Sequence, residues 1–490
     1  MTRNQKKYLN KEIIKVLIVL LVPFALNTTL VICSVFFKDA LVTLIIAHAT
    51  LALIAFINIG KVVRKNENYY MYWSLIIMFI PLYGPSLYFA IGSFSKKYRI
   101  KFIKRIEDRI STFNQYISEE NIYNLRPVEM KKYKIYTSGF DKFQDLFNDI
   151  KNAKSKILLQ YFIIYEDFMY QTLLELLEKK VKEGVEVKIS TDYGGSIALN
   201  KKLFLDLNKK GIKSILGNSN LNYIYSGSMN HRNHRKFALI DDKITYFGGM
   251  NLAIYYGGMS EKYGMWHDIH FRVDSKSFNQ ESSNIFDFDF KYDSSLYENE
   301  PLKIRKNILT KSDTYIFDDG PDIVNNTFLG LLLEKINESK EKINFCMPYP
   351  IFPKSIEKAL VEAKKRGVEI QIIAPGTPDK KSAYWVSYAI VKKMNKKGVS
   401  IQRTNGTFMH SKLAIIDNEV LTGTSNVDYR SLYQHFETNV YSSNKDIVKD
   451  LSIIFETYLN LSSKIKYKFK WVPVLDSFAY NFSKLFIGLL

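Results

Sequence analysis

Apolar residues dominate three stretches near the amino terminus, residues 16–37, 40–59 and 70–89, separated by short polar or basic breaks. The first two are each about as long as a helix needs to cross a bilayer. The first exceeds the apolar core of a signal peptide and no small-residue cleavage site ends it, so both are read as retained membrane helices. The third contains Pro81, Gly84 and Pro85, which remove a helix hydrogen bond. It is expected to span with a bend or to turn back as a re-entrant hairpin. Basic residues flank all three: Lys6, Lys7, Lys11 and Lys15, then Lys61, Arg64 and Lys65, then Lys96, Lys97, Arg99, Lys101, Lys104 and Arg105. Two crossings plus a re-entrant third segment put every cluster on the cytoplasmic side, as the positive-inside rule asks. Residues 1–105 are therefore expected to form a multi-pass membrane anchor, with the remainder on the cytoplasmic face. Inside the second stretch, His48 reads as a neutral imidazole packed against a neighbouring helix rather than as an intramembrane functional group.

From about Phe143 onward the polar and apolar positions run twice through one programme. LFNDIKNAKSKILLQYFII is answered by LLLEKINESKEKINFCMPYPIF, LLEKKVKEGVEVKISTDYGG by ALVEAKKRGVEIQIIAPG, and LDLNKKGIKSI by VKKMNKKGVSI. Each passage is a lysine-rich amphipathic helix, in two cases closed by a glycine such as Gly184 or Gly367, running into a short β-branched strand. Alternation of this kind predicts an α/β fold of two similar lobes, at 130–300 and 310–465, with mixed, mainly parallel sheets flanked by helices. Residues 466–490 form an amphipathic tail suited either to the membrane interface or to packing on the lobes.

Charge narrows the partners. Lysine and arginine number 69 against 49 acidic residues, a formal net charge of +20, so the partner is anionic: nucleic acid or an anionic bilayer both qualify on charge alone. Cys33 and Cys346 are the only cysteines, which excludes a disulfide framework or a cysteine-rich zinc site and leaves them as packing residues.

Each repeat then delivers a histidine at the same place. MNHRNHRKFALIDDKITYFGGMN supplies His234, Lys236 and Asp241; GTFMHSKLAIIDNEVLTGTSNVD supplies His410, Lys412 and Asp417. Both read H-x-K-x-x-x-x-D, followed by Gly248, Gly249 and Asn251 or by Gly423 and Asn426. Residues two apart on a strand face the same side, so each histidine and lysine can address one ligand while FALI and LAII bury the strand. Imidazole attacks phosphorus or moves a proton near neutral pH, and ammonium groups hold non-bridging phosphate oxygens, so no metal and no cofactor is required. A single H-x-K is a weak signal; two at matching positions of an internal repeat are not.

These motifs resemble the phospholipase D superfamily over nearly all of the region from Phe143 to about Leu459. The resemblance implies that the two lobes face each other across one cleft. It implies that one histidine forms a phosphohistidine, while the other protonates the leaving alcohol and deprotonates the incoming one. His234 is assigned as nucleophile and His410 as acid/base, although the pattern itself is symmetric. Asp268 in WHDIH and Glu437 in HFETN match positions that orient the histidines, Asn251 and Asn426 match phosphate-binding positions, and Asp241 and Asp417 read as structural partners at the strand ends of the motif. His231, His267, His270 and His435 lack the downstream lysine and are set aside. Within the superfamily the bacterial cardiolipin synthases are most similar, through PLYGPSLYFAIG, NHRKFALID, WHDIHFRV, Gly320 to Asp322, MPYPIFP, APGTPD, FMHSKLAIID and SNVDYRSLYQHFE. That likeness implies transfer of a phosphatidyl group between two phosphatidylglycerol molecules at the bacterial cell membrane, with release of glycerol and no nucleotide. Two departures stand out: LAIYYGG after GGMN, where relatives are more acidic, bears on the acceptor, and the extra amino-terminal apolar helix bears on topology. The competing readings are a phospholipase D-type hydrolase, a transferase using another acceptor such as phosphatidylethanolamine, a lipid-binding scaffold without catalysis, and a nucleic-acid phosphodiesterase. The last lacks any recognisable nucleic-acid-binding motif, so no nucleic-acid partner is expected.

Overall fold

The computed structural model describes residues 38–60, 67–80, 83–89, 96–113, 123–196, 201–217, 231–258, 265–293, 311–323, 325–377 and 381–464, with isolated positions 25, 28, 29, 32, 302, 304, 305 and 379. Nearly all of the first apolar stretch, Cys33, the basic groups at Lys6 to Lys15 and Lys61 to Lys65, and the carboxyl-terminal tail lie outside these residues. The chain divides into two units, Met1–Glu107 with Asn218–His231, and Asp108–Gly217 with Arg232–Leu490.

In the smaller unit, helix α1 (Lys38–Gly60) contains one segment, Val42–Ile59, long and apolar enough to cross a membrane. Val42, Ile45, Ile46, Leu53, Phe56 and Ile57 are exposed along it, as a lipid-facing helix requires. His48 bonds through Nδ1 to the carbonyl of Leu44 in its own helix, 2.9 Å away. Helix α2 (Glu67–Phe79) has 13 residues, only about 20 Å of rise and short of a full crossing. After it the chain doubles back into the short helix α3 (Gly84–Leu87). A Cβ on Gly84 would lie 2.4 Å from the Ile76 carbonyl oxygen, so glycine is what lets the returning backbone touch α2. Tyr88 then donates to Asn58 on α1 at 2.8 Å.

Both halves of the repeat form sheets in the larger unit, and the two sheets share a topology. The first runs β2 (Tyr133–Tyr136), β10 (His270–Asp274), β8 (Ile244–Gly248), β7 (Lys236–Ile240), β3 (Lys156–Tyr161), β4 (Glu186–Asp192), β5 (Lys213–Gly217). The second places β11 (Thr314–Asp319), β18 (His435–Ser442), β17 (Glu419–Gly423), β16 (Leu413–Ile416), β12 (Lys342–Cys346), β13 (Glu369–Ala374) and β14 (Ser400–Thr404) in the same order. Strands joined through helices, β3 to β4 to β5 and β12 to β13 to β14, are parallel as the alternation predicts. All the other pairings along these two strand orders are antiparallel, those of the motif-bearing strands β7 and β16 included, so the sheets are mixed but mainly antiparallel, not mainly parallel as expected. The turns after Ile240 and Ile416 are too short for a crossover and make hairpins of β7–β8 and β16–β17.

Those turns explain the motif aspartates. Asp241 and Asp417 sit at φ 53° and 49°, a left-handed conformation that aspartate tolerates better than most side chains. Asp241 accepts from the amides of Lys154, Ser155 and Lys156 at 2.8, 2.7 and 3.1 Å. Asp417 accepts from those of Lys340, Glu341 and Lys342 at 2.9, 2.9 and 3.0 Å. Each carboxylate pins the start of the neighbouring parallel strand to the end of the motif strand.

A buried ionic cluster spans the two sheets. Arg126 donates to Asp318 at 2.6 Å, and Arg235 to Asp289 at 2.6 Å and Asp318 at 3.0 Å. Arg109, in helix α4 (Lys96–Phe113), bonds Asp322 at 2.8 Å and also Asp318. The three guanidiniums hold the Asp318 carboxyl well below the usual carboxylate range although burial opposes them. Asp319, which accepts from the amides of Thr327 and Phe328, is pushed up by burial to about 7. Asp241→Ala is expected to lower the unfolding free energy by about 2–3 kcal/mol, and Asp241→Asn by less, since the amide oxygen still accepts but carries no charge. Denaturant titration of the detergent-solubilised protein checks the order.

Candidate active site

Two very short parallel ladders stitch one lobe to the other. β6 (Arg232–Asn233) pairs with the start of β18, Arg232 opposite His435 and Asn233 opposite Phe436. β15 (Phe408–Met409) pairs with β9 (Trp266–His267). The register extends by one bond in each case: the His234 amide donates to the Phe436 carbonyl at 2.9 Å, and the His410 amide to the His267 carbonyl at 2.7 Å. Each motif histidine therefore leaves its own lobe along a strand of the other.

The carboxylate partners follow from that crossing. Nδ1 of His234 lies 2.9 and 3.0 Å from the two oxygens of Glu437. Nδ1 of His410 lies 2.6 Å from Asp268. The pairing that the sequence left open is therefore crossed: Asp268 serves His410 and Glu437 serves His234. The parallel ladders carry each histidine past its own acid to the other lobe's. Both acids are fixed in turn. Glu437 accepts from the hydroxyls of Thr424 at 2.5 Å and Ser431 at 2.6 Å; Asp268 accepts from the Ile269 amide at 2.8 Å. A Cβ on Gly249 would lie 2.0 Å from Asp268 Oδ1, so the motif glycine makes room for that carboxylate.

The expectation that each H-x-K lies on one strand is corrected: His234 sits in the gap between β6 and β7, and His410 and Lys412 in the gap between β15 and β16, where the chain crosses from one lobe to the other. The Lys236 ammonium reaches the His234 carbonyl, while Arg235, between them, points the other way into the ionic cluster and also donates to Thr438 at 2.9 Å. Lys412 bonds the His410 carbonyl and lies 2.8 and 3.1 Å from Nδ1 and Nε2 of that ring. Among the described residues nothing donates to Nε2 of His234.

Burial comes first in setting the protonation states. It lowers His234 well below the usual 6.5, helped by the charges of Lys236, Lys412, His410 and Arg430. His410 falls to about 4 through burial and Lys412, against the opposing pull of Asp268. Lys236 is lowered to about 7 and Lys412 to about 8, again mainly by burial. Crowded cations made uncomfortable by one another describe a cleft suited to an anion.

Other predicted residues take supporting places. Asn251 accepts from the Ile163 amide at 3.0 Å and donates to the Tyr256 hydroxyl at 2.7 Å. The Asn426 amide donates to Ser431 at 2.8 Å. Asp241 and Asp417 hold backbone amides at the far ends of the motif strands. Of the histidines set aside, His267 meets Thr407 at 3.0 Å, His270 accepts weakly from the Met250 amide at 3.4 Å, and His231 packs on Phe102 with ring centroids 5.4 Å apart. His435 is different: its ring lies 5.2 Å from that of His234. Tyr256 and Trp266, at 5.6 and 5.2 Å from His410, and Phe162, at 5.0 Å from His234, were not predicted, since an aromatic in a strand or turn reads as core. Among the described residues, His234, His435 and Glu437 bring three donor atoms within 4.8 Å of one another, yet Glu437 already accepts from three side chains and the surrounding cations disfavour a metal ion there.

Two duplicated α/β lobes that exchange carboxylates around a lysine-flanked histidine pair define a phosphodiester-transfer protein of the phospholipase D type. The family described as "Cardiolipin synthase, PLD-like domain" matches residues 146–289 and 332–459, and the chain belongs to it. Cardiolipin synthase 2 of Staphylococcus epidermidis is 30% identical over 444 residues, 82% of this chain and 88% of that protein. Cardiolipin synthase of Oceanobacillus iheyensis is 28% identical over 83% of this chain and 90% of its own length. The crystal structure of phosphatidylserine synthase from Haemophilus influenzae superposes with a TM-score of 0.60 at 13% identity, covering 76% of this chain and 99% of that one, which shows the shared fold.

A base whose folded pKa is depressed binds fewer protons folded than unfolded at pH values between the two, so its stabilisation is full above the unfolded value and is lost as pH falls towards the folded one. For Lys236 and Lys412 that window runs from 10.5 down to about 7 and 8; for His410 it runs from 6.5 to about 4. Thermal unfolding in detergent is therefore expected to show a melting temperature that falls through both windows as pH is lowered. Inorganic phosphate should offset the fall in the upper window, where the lysines take up their protons.

Proposed function

We propose that this protein is a phosphatidyltransferase that converts two phosphatidylglycerol molecules into cardiolipin and glycerol. The observation that carries the reading is the pair of imidazoles, each held at Nδ1 by a carboxylate of the opposite lobe. With the Nδ1 proton committed to Glu437, His234 presents an unoccupied Nε2 lone pair. It attacks the phosphorus of the donor; the bond from phosphorus to the glycerol oxygen breaks, and His410 gives that oxygen a proton. The ammonium of Lys412, beside Nε2 of His410, is the reservoir for that proton, and the anionic diester raises the affinity of both groups for it. The terminal hydroxyl of a second phosphatidylglycerol then passes its proton to His410 and attacks phosphorus, and the Nε2–P bond breaks. One phosphodiester replaces another, so no energy donor enters. Lys236, Lys412, Asn251 and Asn426 hold the diester and the charge that gathers on it in the transition state.

The substrate is a membrane lipid, and the apolar helix Val42–Ile59 suits attachment to the bilayer that supplies it. In this reading residues 1–105 are a multi-pass anchor, α2 and α3 form a re-entrant hairpin, the lobes span 130–300 and 310–465, and the catalytic face is cytoplasmic.

Purified full-length protein in detergent, given phosphatidylglycerol alone, should release cardiolipin and glycerol in equal amounts, as read by mass. His234→Ala and His410→Ala should each lower the rate by about 10²–10⁴-fold, the usual contribution of a nucleophile or a positioned acid/base. Phosphatidic acid as sole product would overturn transfer in favour of hydrolysis, and unchanged lipid would overturn the enzymatic reading.

A further inference from the structure

Among the described residues, one short stretch of sequence that ends beside His234 carries several buried polar atoms without partners. Over the ten residues from Asn426 to His435, which include the short helix α12 (Tyr429–Gln434), Asn426 Oδ1, Arg430 Nε, Gln434 Oε1 and both ring nitrogens of His435 are buried and have no hydrogen-bond partner. Asn426 and His435 are only 7% and 8% exposed. His435 Nδ1 is 3.6 Å from Glu437, beyond hydrogen-bond reach. Native proteins leave few buried polar groups unpaired, because such groups lose water and gain nothing in return. Four residues in a single short segment therefore ask for a common partner.

The segment is tied to the reaction centre. Asp428 caps α12 by accepting from the Ser431 amide at 2.9 Å, and the Ser431 hydroxyl donates to Glu437 at 2.6 Å, the same carboxylate that orients His234. The His435 ring lies against that of His234, and the Arg430 charge acts on His234. The segment is thus adjacent to His234 through the His435 ring and through Ser431 on Glu437.

The donor and acceptor balance selects the group. Asn426 and Gln434 present carbonyl oxygens, which only accept; Arg430 Nε only donates; a neutral imidazole donates once and accepts once. A second phosphate, with acceptors alone, would leave both carbonyl oxygens unpaired. An ethanolamine ammonium, with donors alone, would leave Arg430 unpaired and would face Arg430, Lys236 and Lys412 as like charges. Vicinal hydroxyls give two bonds and take at least two, which pairs both carbonyl oxygens, Arg430 Nε and the N–H of His435, and leaves only the accepting nitrogen of that ring.

On the phosphatidyl-transfer reading above, we propose that the segment from Asn426 to His435 is a polyol subsite that binds the glycerol headgroup twice, first as the departing alcohol and then as the terminal glycerol of the acceptor lipid. Arg430, Gln434 and His435 are then the residues that select the acceptor.

Headgroup exchange tests this without any net synthesis. The full-length protein in detergent, with phosphatidylglycerol as donor, is offered deuterated glycerol, ethanolamine or ethanol at equal concentration, and the labelled lipids are read by mass. The wild-type protein should exchange glycerol at least about tenfold faster than ethanolamine. Gln434→Met keeps the volume and removes the acceptor; it should lower the glycerol-to-ethanol ratio about tenfold, the worth of one such hydrogen bond. Arg430→Lys, which keeps the charge and moves the donor, should lower the same ratio and guards against a folding defect in the first variant. Ratios unchanged in both variants, as expected if ordered water satisfies these atoms, or ethanolamine accepted as well as glycerol, would overturn the subsite while leaving transfer intact. Wild-type protein that yields phosphatidic acid with every alcohol would instead overturn the transfer reading and the subsite with it.

Discussion

Each motif imidazole in this protein is held by an acid from the other half of the chain, and that exchange governs how the larger unit is built. His234 would have its ring free to turn without Glu437, as would His410 without Asp268. The ladders that enforce the exchange are only two residues long, β6 on β18 and β9 on β15. Such short ladders hold little by themselves. Register is secured by the ionic cluster behind them, where Arg235 links the residue after His234 to Asp289, Asp318 and Thr438. Removing one member of a buried cluster of that kind strands a charge in low dielectric, which is costly even when the intact cluster adds little net stability.

The same packing sets the chemistry. Dry surroundings keep the histidines neutral and hold Lys236 and Lys412 near their titration points. Cationic groups crowded in this way repel one another, and an anionic diester between them relieves the repulsion. On the proposed chemistry, binding energy from the phosphate is thereby directed to the protonation states that the reaction needs.

Much of this was legible in the chain. The duplication, the strands that follow each H-x-K and the helix-linked parallel strands followed from periodicity and from the family resemblance. Which acid serves which histidine did not, because local spacing carries no information about contacts made between residues 203 and 142 positions apart. Arg109, Arg126, Asp289 and Asp318 also read as ordinary surface charges until their distant partners are known. Asp241 and Asp417 show the reverse case: their place in the motif suggests chemistry, while their left-handed backbone and three amide donors each mark them as turn anchors. His435 was set aside for lacking a lysine, although its place at the head of β18 puts it against His234.

The crossing has a consequence for the order of synthesis. A ribosome completes the first lobe long before Glu437 is made, so the nascent chain carries His234 with its proton holder still untranslated. A reactive imidazole next to membrane lipid, half assembled, would be an opportunity for water to consume phosphatidyl groups. On the proposed chemistry, distributing each couple across both halves postpones competence until translation has passed the last of the four residues.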